Sequence, residues 1–244
     1  MTDFPSLGLR PTDRLLVLTG AGISVESGLR TFRGDSGLWE GEPVEAVATP
    51  EGFERDPDRV WAFYSRLRGV AAGVEPTAAH LALAECERRL GDDFLLITQN
   101  VDGLHQQAGN GRVYELHGSL WRTRCSRCDR PALEDRSQRE RAPVCDRCGG
   151  FLRPDIVWFG EQVDLEADRR TRTFVRDARR ARVRLVFLAV GTSGAVWPAS
   201  GFARYSAEYG AETWIANLDP ADNDADFGHV VRGPATQVLP PLLK

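Results

Sequence analysis

Apolar runs of four to six residues recur along the chain, and longer helical patterns separate them. The runs are Arg14–Thr19 (RLLVLT), Phe94–Thr98, Val113–His117, Ile156–Phe159, Leu185–Val190 and Thr213–Asn217. They show little polar alternation, the pattern of strands buried on both faces. Helical patterns cover Pro57 to about Val70, Ala78 to Leu90 and Leu165 to Arg180. Strands alternating with helices predict an α/β fold, Rossmann-like, with a mostly parallel sheet and helices on both faces. No run approaches the roughly 20 apolar residues that cross a bilayer. No cationic stretch followed by an apolar one marks a secretory leader, so a cytoplasmic protein is expected.

Four of the five cysteines, Cys125, Cys128, Cys145 and Cys148, form two C-x2-C pairs separated by sixteen residues. In a reducing compartment this spacing points to zinc rather than to disulfides. Two knuckles offer four thiolates at about 2.3 Å from one centre, and a closed tetrahedron leaves no position for substrate. The metal is therefore expected to be structural. Cys86 lies in a helical pattern and reads as a small core residue. The knuckles interrupt the α/β pattern where composition turns polar. The predicted organisation is one domain from residues 1–119 and 154–244, with residues 120–153 inserted as a zinc module.

The formal net charge is −4, from 31 basic and 35 acidic residues. That balance argues against nucleic-acid binding through the whole surface. Lys244 is the only lysine, and from Glu166 to Arg184 eight arginines face three acids, which reads as a solvated helix face.

The first apolar run ends at Gly20-Ala21-Gly22. A glycine turn between a strand and a helix is where a dinucleotide pyrophosphate binds. A dehydrogenase fingerprint would place a small residue three positions after Gly22, and Val25 stands there instead. The loop continues to Thr31, Phe32 and Arg33, which suggests an aromatic lid and an anion clamp. The site reads as nucleotide-binding without hydride transfer.

These residues belong to a longer series: Gly20-Ala-Gly-Ile-Ser-Val-Glu-Ser-Gly28 with Thr31-Phe-Arg33, then Thr98-Gln-Asn-Val-Asp102, Leu116-His-Gly118 and the four cysteines. Pro154-Asp-Ile-Val-Trp-Phe-Gly-Glu161, Gly191-Thr-Ser193, Asn217-Leu-Asp219 and Gly233-Pro-Ala235 follow in order. From about Leu15 onward the chain resembles the sirtuin family, and within it the bacterial deacylases of the class that includes the mammalian mitochondrial desuccinylase. The resemblance implies an NAD-consuming reaction in which an acyl-lysine amide oxygen displaces nicotinamide, giving O-acyl-ADP-ribose and free lysine. It implies one structural zinc ion, acyl-lysine proteins or peptides as partners, no membrane or nucleic-acid partner, and a monomer.

It also implies roles. His117 would be the general base acting on a ribose hydroxyl, which suits a group titrating near neutrality. Asn100 and Asp102, with Ile23, would hold the nicotinamide amide, and Phe32 would cover the reaction centre. Gly20, Ala21, Gly22, Glu26, Thr31, Arg33, Trp39, Gln99 and Val101 would contact the cofactor, as would Gly191, Thr192, Ser193, Asn217, Leu218, Asp219 and Ala235. Val157, Phe159, Gly160, Glu161, Gly194 and Val196 would flank a peptide lying as an added strand. His80 and His105 read as packing or capping residues. Two other activities remain open at this point, ADP-ribose transfer to protein and a zinc-knuckle binding module.

The desuccinylating class carries a tunnel-widening alanine and a Tyr-x-x-Arg pair that grips a distal carboxylate. Ala48 and Tyr64 match, but Leu67 stands where the arginine is expected. On a helix Arg68 lies about 40° from Tyr64 and Arg66 about 160° away. Arg68 is therefore the candidate to take over the carboxylate, which leucine cannot hold. Retained deacetylation is expected, with desuccinylation either weakened or rescued by Arg68, and Leu67 leaves a longer apolar acyl chain open as well.

Overall fold

The computed structural model describes residues 4–31, 42–163 and 165–244. Its strands are β1 Arg14–Thr19, β2 Phe94–Thr98, β3 Val113–Glu115, β4 Gly118–Cys125, β5 Leu133–Glu134, β6 Leu152–Ile156, β7 Leu185–Val190, β8 Glu212–Asn217 and β9 His229–Arg232. The helices are α1 Val44–Val47, α2 Pro50–Arg55, α3 Pro57–Ala72, α4 Ala78–Leu90, α5 Leu104–Gln107, α6 Leu165–Ala181, α7 Phe202–Glu208 and α8 Ala235–Leu242.

Among the described residues the larger sheet has the order β3-β2-β1-β7-β8-β9, and every neighbouring pair is parallel. This is the doubly wound order, with a switch point between β1 and β7. Side chains alternate across the sheet, so Leu15 and Val17 face one layer while Leu16 and Leu18 face the other. The first pair packs with Leu83 and Cys86 of α4 and Val238, Leu239 and Leu242 of α8. The second packs with Val175 and Ala178 of α6 and Phe202 and Ala203 of α7. Each such buried Leu, Val or Phe contributes about 1.5–3 kcal/mol against exposure. The expected parallel sheet with two helical layers is present.

Helix ends follow local chemistry. Pro57 begins α3, and Asp56 accepts from the Arg59 N–H. Thr77 caps α4, and His80 reaches back to the Thr77 backbone, completing a capping box. The arginine-rich helix α6 pairs its exposed charges locally: Arg169 and Arg170 with Glu166, and Arg172 with Asp168. No helix among the described residues is long and apolar enough to cross a membrane.

The Ile156–Phe159 run departs from expectation, because the strand is Leu152–Ile156. Beyond it the Val157 N–H bonds the His117 carbonyl and the Phe159 N–H bonds the Ala48 carbonyl. Those bonds pull the segment out of the ladder and along a cleft. The Val113–His117 run likewise stops pairing at Glu115. Strands β4 and β9 carry no strong apolar pattern, since β4 reads GSLWRTRC and β9 HVVR.

A second sheet, β5-β4-β6, is antiparallel. Near it the Sγ atoms of Cys125, Cys128, Cys145 and Cys148 all lie within 4.8 Å of one another. Cys125 and Cys148 Sγ are 3.5 Å apart and Cys128 and Cys145 Sγ 3.9 Å. Four sulfurs at about 2.3 Å from one zinc ion would be separated by about 3.8 Å, so the donor set fits a closed tetrahedral site. The N–H groups of Arg127 and Cys128 donate to Cys125 Sγ, and that of Gly150 to Cys148 Sγ, which favours thiolates. Cys145→Ser is expected to lower bound zinc below one ion per chain and the midpoint of thermal unfolding by several degrees. Metal analysis and a melting curve check this; full zinc with an unchanged melt would contradict it.

Candidate active site

The carboxyl ends of β1 and β7 leave the sheet through Gly20 and Gly191. The Gly20 N–H donates to the Val190 carbonyl and the Gly22 N–H to the Gly191 carbonyl. A methyl group on Gly22 would lie 2.6 Å from Gly191 Cα, so the two loops approach this closely only as glycines. Over them opens a cleft of about 700 Å³ at the switch point, where open α/β sheets bind ligands. Its lining includes Gly20, Ala21, Gly22, Glu26, Thr31, Gln99, Asn100, Val101, Gly191, Thr192, Ser193, Asn217, Leu218, Asp219 and Ala235. Ala48, Tyr64, His117, Val157, Phe159, Gly160, Glu161 and Val196 line it as well.

His117 sits in the turn between β3 and β4. Gly118, at φ +81°, completes that turn, and a Cβ there would clash with the Asp155 carbonyl. His117 Nδ1 lies 3.1 Å from the Gln99 carbonyl, which can only accept. The proton therefore resides on Nδ1, and Nε2 keeps its lone pair. Burial lowers the imidazole pKa below its ordinary value, opposed by the Gln99 carbonyl. A neutral imidazole beside the cleft is equipped to take a proton from a hydroxyl.

A buried polar chain underlies the same region. Asn100 Nδ2 donates to the Gly20 carbonyl at 3.1 Å and to Ser24 Oγ at 3.2 Å. Ser24 Oγ donates to Asp102 Oδ2 at 2.8 Å, and Asp102 Oδ1 accepts from the Leu104 N–H. His80 Nδ1 accepts from the Thr77 N–H, so Nε2 carries the proton toward Ser24 Oγ, 3.5 Å away. Burial lowers the His80 pKa to about 4, which keeps this ring neutral. Burial raises the pKa of Asp102. Asn100 Oδ1 is buried without a hydrogen-bond partner among the described residues.

Several expected site residues lie elsewhere. Asp102 lines a smaller adjoining cavity with Ala21, Ser24 and Asn100 rather than the main cleft. Ile23 is fully buried in the core with Leu15 and Val17. Gly194, at φ +72°, packs against Asn223. Phe32, Arg33 and Trp39 fall outside the described residues.

Arg68 requires a correction. Its side chain is fully buried and points away from the cleft. Nε donates to the Leu120 carbonyl at 2.6 Å, Nη1 to Ser137 O at 2.8 Å, and Nη2 to Arg122 O and Thr123 Oγ1 at 3.2 Å. Asp135 lies 3.5 Å from Nη1. The guanidinium ties α3 to the second sheet and is not free to hold a substrate carboxylate.

Sequence reasoning missed Ser24 and Trp197. Ser24 follows the glycine turn and faces Asn100 and Asp102, a convergence that only the fold reveals. Trp197, beside Val196, is 72% exposed at the cleft wall.

The geometry matches that of known proteins. The sequence profile of the Sir2 family matches residues 20–198. The NAD-dependent protein deacylase 2 of Pyrobaculum aerophilum is 45% identical over 229 residues, covering 94% of this chain and 89% of the relative. The NAD-dependent protein deacylase of Escherichia coli (strain K12) is 44% identical over 235 residues, covering 95% and 81%. The crystal structure of a Sir2 homolog–NAD complex superimposes with a TM-score of 0.83 at 38% identity, covering 93% and 86%. A mutant Sir2 homologue bound to ADP-ribose gives a TM-score of 0.84 at 37% identity, covering 93% and 89%. With the glycine turn, the histidine turn and the cysteine cluster in these positions, the chain belongs to the Sir2 family.

Proposed function

We propose that this protein is an NAD-dependent protein-lysine deacylase, acting on acyl-lysine proteins or peptides. The observation that carries this reading is a cleft lined by His117, whose Nε2 keeps its lone pair, and by Asn100, whose buried Oδ1 has no hydrogen-bond partner among the described residues. The residues fit NAD: the cleft lies at the switch point, and Asn100 offers a carboxamide acceptor in a dry setting. When bound, NAD supplies an electrophilic ribose carbon with a neutral leaving group. Asn100 orients the leaving amide, and Ser24 and Asp102 hold Asn100 in place. His117 takes the proton of the ribose hydroxyl at Nε2, while the Gln99 carbonyl fixes its ring. Gly20, Gly22 and Gly191 let the dinucleotide backbone approach the strand ends. The peptide lies between the 157–161 segment and Val196.

Acetyl-lysine is the preferred class over succinyl-lysine. No arginine or lysine is among the described residues lining the cleft, whereas Glu26, Glu161 and Asp219 are. A carboxylate taken into such a wall loses hydration without gaining a cation. Purified protein given NAD and an acetyl-lysine peptide is expected to release nicotinamide only when the peptide is acylated. Release independent of acylation, with ADP-ribose left on protein, would contradict the reading.

A further inference from the structure

One peptide unit of the site is held at both of its polar ends. The Gln99 carbonyl accepts from His117 Nδ1, and the Asn100 N–H of the same amide donates to Thr98 Oγ1 at 3.1 Å. From Thr98 a buried polar chain continues. Thr98 and Thr19 are register partners at the ends of β2 and β1, with their Oγ1 atoms 2.8 Å apart. Thr19 Oγ1 lies 2.9 Å from His105 Nε2. Asn110 folds back on His105, its N–H donating to the His105 carbonyl, and its Nδ2 donates to Glu87 Oε2 at 2.7 Å. The N–H groups of Gly111 and Arg112 donate to the same carboxylate. Thr19, Thr98, Asn100, His105, Asn110 and Glu87 are all buried.

The carboxylate sets the direction of every bond. Glu87 can only accept, so Asn110 gives it Nδ2 and keeps Oδ1 for a donor. Asn110 Oδ1 and His105 Nδ1 are both buried without a partner in hydrogen-bond geometry among the described residues. As acceptor and donor they complete each other. Burial pushes the His105 pKa well down, His80 adds to this, and Asn110 opposes it, which is the sign of an imidazole N–H donating to the amide oxygen. With the proton on Nδ1, Nε2 accepts from Thr19, Thr19 from Thr98, and Thr98 from the Asn100 N–H. No proton of the chain is then left without an acceptor. The opposite polarity strands the Thr98 proton and sets the lone pairs of His105 Nδ1 and Asn110 Oδ1 against each other.

Resting on the deacylase reading, we infer that Glu87 is a positioning residue for His117, acting through Asn110, His105, the two threonines and the Gln99–Asn100 peptide. A peptide polarised at its N–H presents an electron-richer carbonyl oxygen. That oxygen holds the His117 Nδ1–H harder and steadies the positive charge that develops on the ring as Nε2 takes a proton. Bonds in such a chain strengthen one another by roughly 10–30% each.

The first test is spectroscopic and needs no substrate. In protein labelled with 15N-histidine, with the His105 ring assigned by its contacts to Thr19, the His105 proton is expected on Nδ1. Glu87→Gln turns the Asn110 amide around and should move that proton to Nε2, a change that a merely structural role would not produce. The same variant should lower kcat on an acetyl-lysine peptide roughly two- to tenfold, and Thr98→Val, which cuts the chain beside Asn100, should do the same. Once the chain is cut, Glu87→Gln should cost less than about twofold more, because the two losses share one path. Melting curves report folding. A His105 proton on Nε2 in the unmodified protein, a tautomer unmoved in folded Glu87→Gln, an unchanged kcat, or fully additive losses would each overturn the assignment. The first is read on unmodified protein, so the proposal can fail even where a variant does not fold. An unmodified protein that turns over no acetyl-lysine peptide would instead overturn the deacylase reading.

Discussion

Deacylation of an acetyl-lysine peptide by His117→Ala is expected to fall by roughly 100- to 10,000-fold, the usual worth of a positioned base. One contact underlies this effect. Because Gln99 O accepts from the Nδ1–H, the other nitrogen keeps its lone pair and, on the proposed reading, acts as the base without needing to shed a proton first. Burial holds the ring's pKa below the ordinary histidine value. The sign follows directly: the neutral, active form persists below pH 6.5, so the acid limb of kcat/KM should lie on the acid side of that value. The limb should vanish in His117→Ala along with the rate. A variant that keeps more than a tenth of the activity, or an acid limb above pH 7, would contradict this role. Melting curves separate it from misfolding, because among the described residues the ring makes a single hydrogen bond.

The second large effect is on stability. Arg68→Ala should destabilise the protein by about 3–5 kcal/mol, because it strands the buried Leu120 carbonyl and the half-buried Arg122 carbonyl and opens a hole in the packing. The carbonyls of Leu120, Ser137 and Arg122 all lose this donor, and among the described residues Asp135 keeps Arg139 alone as a charged partner. Arg68→Lys should not restore stability, since one ammonium cannot reach a fork of acceptors spread over the second sheet. Urea titration reads the loss. The ratio of acetyl to succinyl turnover should stay unchanged in whatever fraction remains folded. A stable Arg68→Ala protein with altered acyl preference would restore the arginine to the cleft and sink this account of it.

Arg68 also shows where sequence reasoning stops. A helical wheel reports that Tyr64 and Arg68 both face inward, and they do. It says nothing of what lies opposite, and four residues along the axis amount to about 6 Å. Over that distance the neighbour changes from the Trp158 indole to the carbonyls of β4. The strands tell the opposite story. Arg14–Thr19, Phe94–Thr98 and Leu185–Val190 are buried on both faces and were bounded by turn residues, so their limits could be read directly. Ile156–Phe159 is just as apolar, but all four of its residues line a cleft, Ile156 and Trp158 packing in a core on their other side, and composition alone does not separate the two. The glycine turn and His117 were legible because their chemistry is local. The Ser24, Asp102 and His80 chain was not, because its members converge from β1, β2 and α4 only after the sheet has formed.

The most direct check of NAD-coupled deacylation is a product count. Purified protein is incubated with NAD and an acetyl-lysine peptide, and nicotinamide, free-lysine peptide and acetylated ADP-ribose are quantified from the same reaction. Equal amounts of all three, with none formed when either substrate is withheld, are expected. Peptide deacetylated without nicotinamide, or nicotinamide formed while the peptide keeps its acetyl group, would show that the cleft performs different chemistry.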